Sequence, residues 1–284
     1  MWKPVLMMFV AMSLIPAGDT AGKLLITTQG TSPLFVAWTR FWIGALLVLP
    51  FVPRGGFAIL TDWRVILRAL MLTGGICSIL TALQTAPLAD VFAAFFIGPS
   101  VSYLLAVVFL REPFSLVRAG LVGLGFCGML IVVQPGGAGA SEGLGWAVLA
   151  GCFYGAFLTA SRWLSSQARP RALLFSQLFI SAIVTTPAAL FFLPAFSWPV
   201  AGLASLSAIF SMLGNFILLF AYRMAPATSL APLIYFQLIA ATGLGWFVFG
   251  TLPDQWTWIG LALILLSGVA SALLAPPPGG AQRR

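Results

Sequence analysis

Met12-Ser-Leu-Ile-Pro-Ala-Gly-Asp-Thr-Ala-Gly-Lys23 lies inside the first long apolar run of the chain. Asp19 and Lys23 stand four residues apart, so a helix places them on one face. Pro16 lacks the N–H that would close its helical hydrogen bond, and it can bend the backbone beside them. An ionisable side chain inside a membrane span costs about 2.5–3.5 kcal/mol on insertion scales, so it marks a functional site or a paired charge. Of the six acids in the chain, Asp19 is the one this pattern places well inside a span.

The rest of the chain has the composition such a span requires. Of 284 residues, 61% are hydrophobic and 7% charged, and the mean hydropathy is +1.06. A soluble domain is about a quarter charged. The alternation of apolar and polar residues in a transmembrane β-barrel is absent, so the fold class is an all-α polytopic membrane protein. Runs long enough for a ~30 Å hydrocarbon core predict ten helices: 4–28, 33–52, 64–84, 88–110, 115–134, 144–165, 171–193, 199–222, 227–250 and 256–275. Turn chemistry separates them, as at Gly30-Thr-Ser-Pro33, Ala86-Pro87, Pro135-Gly-Gly137 and Ala225-Pro226. Residues 276–284 read as a short disordered cytoplasmic tail. Lys3 and the apolar stretch behind it resemble a signal peptide, but that run continues through Lys23 to Ile26 and nine further spans follow.

The net charge of +8 is spread singly between apolar runs, the pattern of topology determinants and not of a nucleic-acid surface. With the N-terminus inside, only Lys23 and Arg40 of the fourteen basic residues fall on the outer side. Both termini are then cytoplasmic, and the chain is integral to the cytoplasmic (inner) membrane. The chain has no histidine, which excludes histidine-based metal sites and Ser-His-Asp chemistry. Cys77, Cys127 and Cys152 fall in separate apolar runs and read as small buried hydrophobes. Gly123-Leu-Gly125 follows no strand, so it is no nucleotide site. The reading requires no cofactor and no metal, and without a phosphate-binding loop it leaves no direct ATP drive.

The two halves resemble each other. Ala86-Pro87 aligns with Ala225-Pro226, Arg40 with Gln177 and Pro50 with Pro187; after a one-residue slip Pro113 aligns with Pro253, Gly120 with Gly260 and Gly128 with Gly268. Each half holds five spans, an odd number, so the second is inverted in the membrane. The division is 1–138 for the first repeat and 139–275 for the second. Inverted repeats are a transporter architecture with the substrate site near the midplane between the repeats.

Thr39-Arg40, Ala86-Pro-Leu-Ala-Asp90, Gly98-Pro99 and Leu110-Arg-Glu-Pro113 with Gly120 and Gly128, followed by the second-half copy from Ala225-Pro226 to Gly268, give the chain a known likeness. It resembles the ten-helix drug/metabolite transporter superfamily of the EamA type over nearly its whole length. The second copy departs from the pattern: Thr251-Leu-Pro253 lacks the usual acid, and its proline comes early, at Pro232. The resemblance implies movement of a small organic metabolite, and its motifs do not encode which one.

At 1.5 Å per residue Asp19 lies about 21 Å from a start near Val5, and Arg40 about 10 Å in from the opposite end of the second span. These are similar depths, so the two are partners: a charged binding or proton-coupling site, or a structural ion pair. Lys23 lies nearer the interface and can snorkel to it. Polar stripes run along span 3 (Thr73, Cys77, Thr81, Gln84), span 7 (Gln177, Ser181, Thr185) and span 8 (Ser211, Asn215, Tyr222). Such residues line a wet cavity or hydrogen-bond between helices. Phe92, Phe95, Phe96 and Tyr103 near Pro99, and Tyr235 and Phe236 beside Gln237 near Pro232, supply aromatic walls for a partly apolar substrate. Ala147, Gly151 and Gly155 form a small-residue ridge for close packing, while Trp38, Trp42, Trp256 and Trp258 read as interfacial anchors.

The candidate substrate-binding or coupling residues are therefore Asp19, Lys23, Arg40, Gln84, Pro99, Tyr103, Asn215, Tyr235 and Gln237. Pro16, Gly18 and Gly22 weaken the first helix beside Asp19, and a half-broken helix near a buried charge points to the site. The expected function is secondary transport of a small polar or amphipathic metabolite by alternating access, proton-coupled or exchange-driven. The expected partners are a small-molecule substrate and the lipid bilayer, with no nucleic acid, in a monomer or homodimer. The rival readings are a membrane-embedded enzyme, which would need Asp19 and Asp90 a few ångströms apart as a carboxylate dyad, and a channel or non-transporting scaffold.

Overall fold

The first element is one uninterrupted helix, α1 (Trp2–Gln29), despite the proline inside it. The hydroxyl of Thr20 donates to the Pro16 carbonyl at 2.8 Å, and Gly30, at φ +63°, ends the helix as a residue without Cβ can. This computed structural model describes residues 2–53, 56–111, 114–134, 142–164, 169–224 and 231–273. The repeat boundary at 138–139, Pro113, Ala225-Pro226, the opening residues of the expected ninth span and the 276–284 tail lie outside the described residues. So do the side chains of Tyr222 and Pro232.

Ser32 caps α2 (Pro33–Val48), accepting from the Leu34 N–H, with Pro33 in the first turn where its missing donor costs nothing. Asp62 caps α3 (Trp63–Ala82) through the Arg64 N–H. The fourth expected span is two helices, α4 (Leu88–Phe95) and α5 (Gly98–Phe109), separated by a turn at Phe96 and Ile97. Then follow α6 (Leu116–Val133), α7 (Glu142–Leu164), α8 (Pro170–Ala189) and α9 (Trp198–Met224). The ninth span opens with a 3-10 turn, Ala231–Tyr235, before α10 (Phe236–Phe249), and α11 (Gln255–Leu273) closes the chain. Among the described residues eight segments are long and apolar enough to cross a membrane, with α4 and α5 counted as one. Two shorter apolar ones, Leu233–Phe249 and Gln255–Ser271, stand where the ninth and tenth are expected.

The break in the fourth span has a plain cause. Pro99 has no N–H to give the Phe95 carbonyl four residues back, and Gly98 beside it loosens the turn. The chain is therefore interrupted in its fourth span and not in its first, where the sequence places the weakness.

Helix contacts come in matched sets. α1 packs on α9 as α7 packs on α3, α2 on α9 as α8 on α3, and the broken fourth span on α7 as the ninth on α1. α2 pairs with α8 and α6 with α11. The glycine ridge of α7 fits the interrupted span: a Cβ on Gly151 would come within 2.6 Å of the Phe95 carbonyl, and one on Gly155 within 2.8 Å of the Val101 Cβ. Trp38 and Trp42 are not interfacial anchors, for both indoles donate to the Thr186 hydroxyl of α8, at 2.9 and 3.2 Å.

The apolar core differs at the two ends of the bundle. At the end holding Thr31, one continuous cluster joins α1, α2, α3, α4, α6, α7, α8, α9, α10 and α11, with Leu80, Leu83, Leu88 and Phe92 fully buried. At the opposite end, which carries Arg64, Arg162 and Arg169, burial divides into three clusters. One joins α1 and α9 (Met8, Met12, Ala221), one α3, α7 and α8 (Val65, Leu164, Leu173), and one α2 and α8 (Ala45, Val48, Phe175).

Candidate functional site

Asp19 and Arg40 meet. Arg40 Nη1 lies 2.6 Å from Asp19 Oδ1, and each residue is 5% exposed. The guanidinium has two further anchors: Nη2 donates to the Gly18 carbonyl and Nε to Ser207 Oγ at 2.7 Å. Ser207 Oγ in turn donates to the Gly18 carbonyl at 2.8 Å. Three helices, α1, α2 and α9, are tied at one point. The glycines make this approach possible: a Cβ on Gly18 would lie 2.9 Å from the Ser207 carbonyl, and one on Gly22 would lie 2.9 Å from Arg40 Nη2. A buried charge is tolerated in a span when it is paired and its remaining donors are bonded, and Arg40 meets both conditions.

A second polar group lies nearer the Thr31 end. Lys23 does not snorkel outward. It is 9% exposed, its ammonium donates to the Ala86 carbonyl in the turn before α4, and it sits 5.1 Å from the centre of the Phe249 ring on α10. Asp90 on α4 attracts Lys23 electrostatically and accepts from Thr257 Oγ1 on α11 at 3.0 Å. Asp254 accepts from the Thr257 N–H at 2.7 Å and starts α11. Four spans are fastened here, directly beside the continuous apolar core.

The turn in the fourth span meets the 3-10 turn of the ninth through their aromatic rings. Phe96, in the α4–α5 turn, faces Tyr235, at the end of the 3-10 turn, with ring centres 5.1 Å apart. Tyr235 also rests against Gly268 of α11, and Phe95 faces Tyr154 of α7 at 4.9 Å. A broken helix at the centre of a bundle is the setting in which transporters hold substrate.

The EamA-like transporter family matches this chain twice, over residues 2–134 and 141–272. The chain belongs to the EamA-like transporter family.

Relatives in that family bear transport names. The S-adenosylmethionine uptake transporter of Rickettsia bellii is 29% identical over 258 residues, covering 88% of this chain and 86% of the relative. The riboflavin transporter of Rhizobium johnstonii is 27% identical over 271 residues, covering 90% of this chain and 88% of the relative. A solved crystal structure is similar with a TM-score of 0.61 at 17% identity, covering 96% of this chain and 97% of that one, a likeness of fold alone.

Within this EamA-like bundle the other sequence candidates disperse. Gln84 is exposed in the turn after α3, and Asn215 is exposed on α9 with its amide donating to the Ser211 carbonyl at 2.8 Å. Pro99 is exposed in the first turn of α5. The Tyr103 hydroxyl exchanges hydrogen bonds with the backbone of Ser115, at 3.1 and 3.2 Å, and ties α5 to the loop before α6. Gln237 is buried on α10. The residues that sequence reasoning did not single out are Ser207 and Thr257, lone hydroxyls with no spacing signal. The alignment of Arg40 with Gln177 could have pointed to a third, Arg68, because Gln177 belongs to the matching junction of α8 with α3 and α7.

Proposed function

We propose that this transporter works by alternating access in the cytoplasmic membrane, with both termini cytoplasmic and residues 1–138 and 139–275 acting as inverted repeats. The uneven core carries this reading. One continuous cluster with the Lys23 and Asp90 fastenings closes the Thr31 end, and burial at the arginine end separates an α1/α9 body from an α3/α7/α8 body. In a rocking cycle the fastenings at the Thr31 end release while the separate bodies close on each other, exchanging the open end. The matched helix contacts support the repeat division, and the arginine-rich end as the cytoplasmic one follows from the positive-inside bias.

The substrate we infer is an amphipathic metabolite with a flat heteroaromatic part and a polar tail. Phe96 and Tyr235, with Phe95 and Tyr154 behind them, offer ring faces for the flat part. The polar tail would reach toward the Asp19–Arg40 pair. S-adenosylmethionine and riboflavin, for which the relatives are named, both combine these two features. Accumulation is coupled to protons or to exchange, with Asp19 as the group whose charge is engaged.

Counterflow in proteoliposomes tests this, with labelled S-adenosylmethionine and labelled riboflavin as probes. A carrier exchanges unaltered label across the bilayer, whereas an enzyme changes it chemically. Saturable exchange of one compound, weakened in a folded Tyr235→Ala or Phe96→Ala protein, is the expected result. Exchange that both variants leave at the wild-type rate would refute the aromatic site.

A further inference from the structure

Arg68 on α3 is 7% exposed, and among the described residues it makes only neutral contacts. Its Nε donates to Ser161 Oγ of α7 at 2.8 Å, its Nη1 to the Leu173 carbonyl of α8 at 3.2 Å, and its guanidinium lies 4.5 Å from the Phe157 ring centre. Nη2 has no protein partner among the described residues. Asp62, the acid nearest in sequence, caps α3 through the Arg64 N–H and forms no ion pair with Arg68.

The matched helix contacts sharpen this. The α3/α7/α8 junction corresponds to the α9/α1/α2 junction, where Arg40 is neutralised by Asp19. The second junction keeps a buried arginine and lacks the carboxylate. Gln177, which aligns with Arg40, is 7% exposed there, and its Oε1 is buried without a hydrogen-bond partner. It stands one turn beyond Leu173.

We propose that this junction binds the headgroup of an anionic phospholipid, with Arg68 as the counter-cation to its phosphate and the uncharged Gln177 one turn deeper, where it offers no competing carboxylate. The Arg68 guanidinium reaches back toward the helix ends, since its partners Ser161 and Leu173 lie three residues, about 4.5 Å at 1.5 Å per residue, from the ends of α7 and α8. Trp63 and Trp163, 60% and 37% exposed, stand edge to face at 5.7 Å, with the Arg64 guanidinium 4.9 Å from the Trp163 ring. Indole rings belong at that level of a bilayer, and basic pockets between spans receive lipid headgroups there. Arg169 and Arg171, with Pro53 and Pro170, line a cavity of about 400 Å³ at the same end of α8, adding positive charge where the lipid arrives.

Thermal unfolding of the purified protein in a neutral detergent tests the site, with phosphatidylglycerol, phosphatidylcholine and inorganic phosphate added separately. Phosphatidylglycerol should raise the midpoint and phosphatidylcholine should not. In Arg68→Gln the lipid concentration needed should rise about tenfold, the loss of one charged hydrogen bond. Ser161→Asp supplies the missing carboxylate beside Nε, and this variant should fold and no longer respond to phosphatidylglycerol. An undiminished response in both variants would overturn the proposal. Inorganic phosphate alone reproducing the Arg68-dependent shift would overturn the lipid as its source.

Discussion

Replacing Asp19 with asparagine keeps the shape of the side chain and removes its charge. The Arg40 guanidinium would then be buried in the span with no anion, held by the Gly18 carbonyl, Ser207 Oγ and the asparagine oxygen. Removing one partner of a buried pair costs about 3–5 kcal/mol, because the other charge is left uncompensated. Two anchors of Arg40 survive and the new amide can still accept, so the low end applies: about 3 kcal/mol. For a chain of 284 residues that lowers the unfolding midpoint by about 5 °C.

The double change Asp19→Asn with Arg40→Gln removes both charges and should recover most of the loss, a coupling read directly from a double-mutant cycle. Thermal unfolding in detergent gives the stability half of the cycle. Transport gives the other. If Asp19 engages a substrate cation or a coupling proton, the refolded double mutant should fail to accumulate substrate against a gradient. In the proton case exchange survives, since it moves no net proton. An Asp19→Asn protein as stable as the wild type would refute the energetic reasoning, and one that also accumulates substrate at the wild-type rate would remove Asp19 from the mechanism.

Lys23→Met removes the bond to Ala86 and the contact with Phe249, so a cysteine at buried Val200, in a background without the native cysteines, should react about tenfold faster with a hydrophilic maleimide; an unchanged rate would show that Lys23 does not hold that end shut. Gly155→Ala puts a methyl 2.8 Å from the Val101 Cβ and should destabilise the protein by about 1–3 kcal/mol, whereas Gly202→Ala, which meets open space, should not lower the unfolding midpoint. A reporter fused to the C-terminus should be active in the cytoplasm, and activity only outside would reverse the orientation.

The ten apolar segments and the Asp19–Arg40 pairing were legible because each rests on a quantity the sequence carries directly, run length in one case and residue rise in the other. The position of the break was not. Pro16 and Pro99 carry the same signal, a missing donor within an apolar run. What separates them is the packing around each. α9 lies close along α1, admitted by Gly18, and Thr20 bonds back to the Pro16 carbonyl, so that helix holds its line. Around Pro99 the α7 glycines press backbone against backbone and leave the turn in place. Lys23 misled for a related reason: depth alone allows it to snorkel, and only the turn of α3 into α4 brings the Ala86 carbonyl within its reach.

The two halves have diverged in charge more than in contact. Their helices meet in the same pairs, and glycines hold the close crossings on both sides, Gly18 and Gly214 where α1 meets α9 and Gly75 where α3 meets α7. The arginines do not correspond residue for residue: both stand in the first half, Arg40 on its second span and Arg68 on its third, and each serves a different junction. Asp19 has no described counterpart beside Arg68. A transporter whose halves exchange conformations need not exchange chemistry. The junction that carries its own anion has the means to neutralise or release a charge within the protein, and the junction without one must find its anion outside. On the function proposed above, that difference would place coupling on the α1/α2/α9 side and a response to the surrounding lipid on the α3/α7/α8 side. Asp19→Asn should therefore impair accumulation in any lipid, while Arg68→Gln should impair transport only where anionic lipid sustains the wild type. Proteoliposomes made with and without phosphatidylglycerol distinguish the two, and equal lipid dependence of both variants would refute the division of roles.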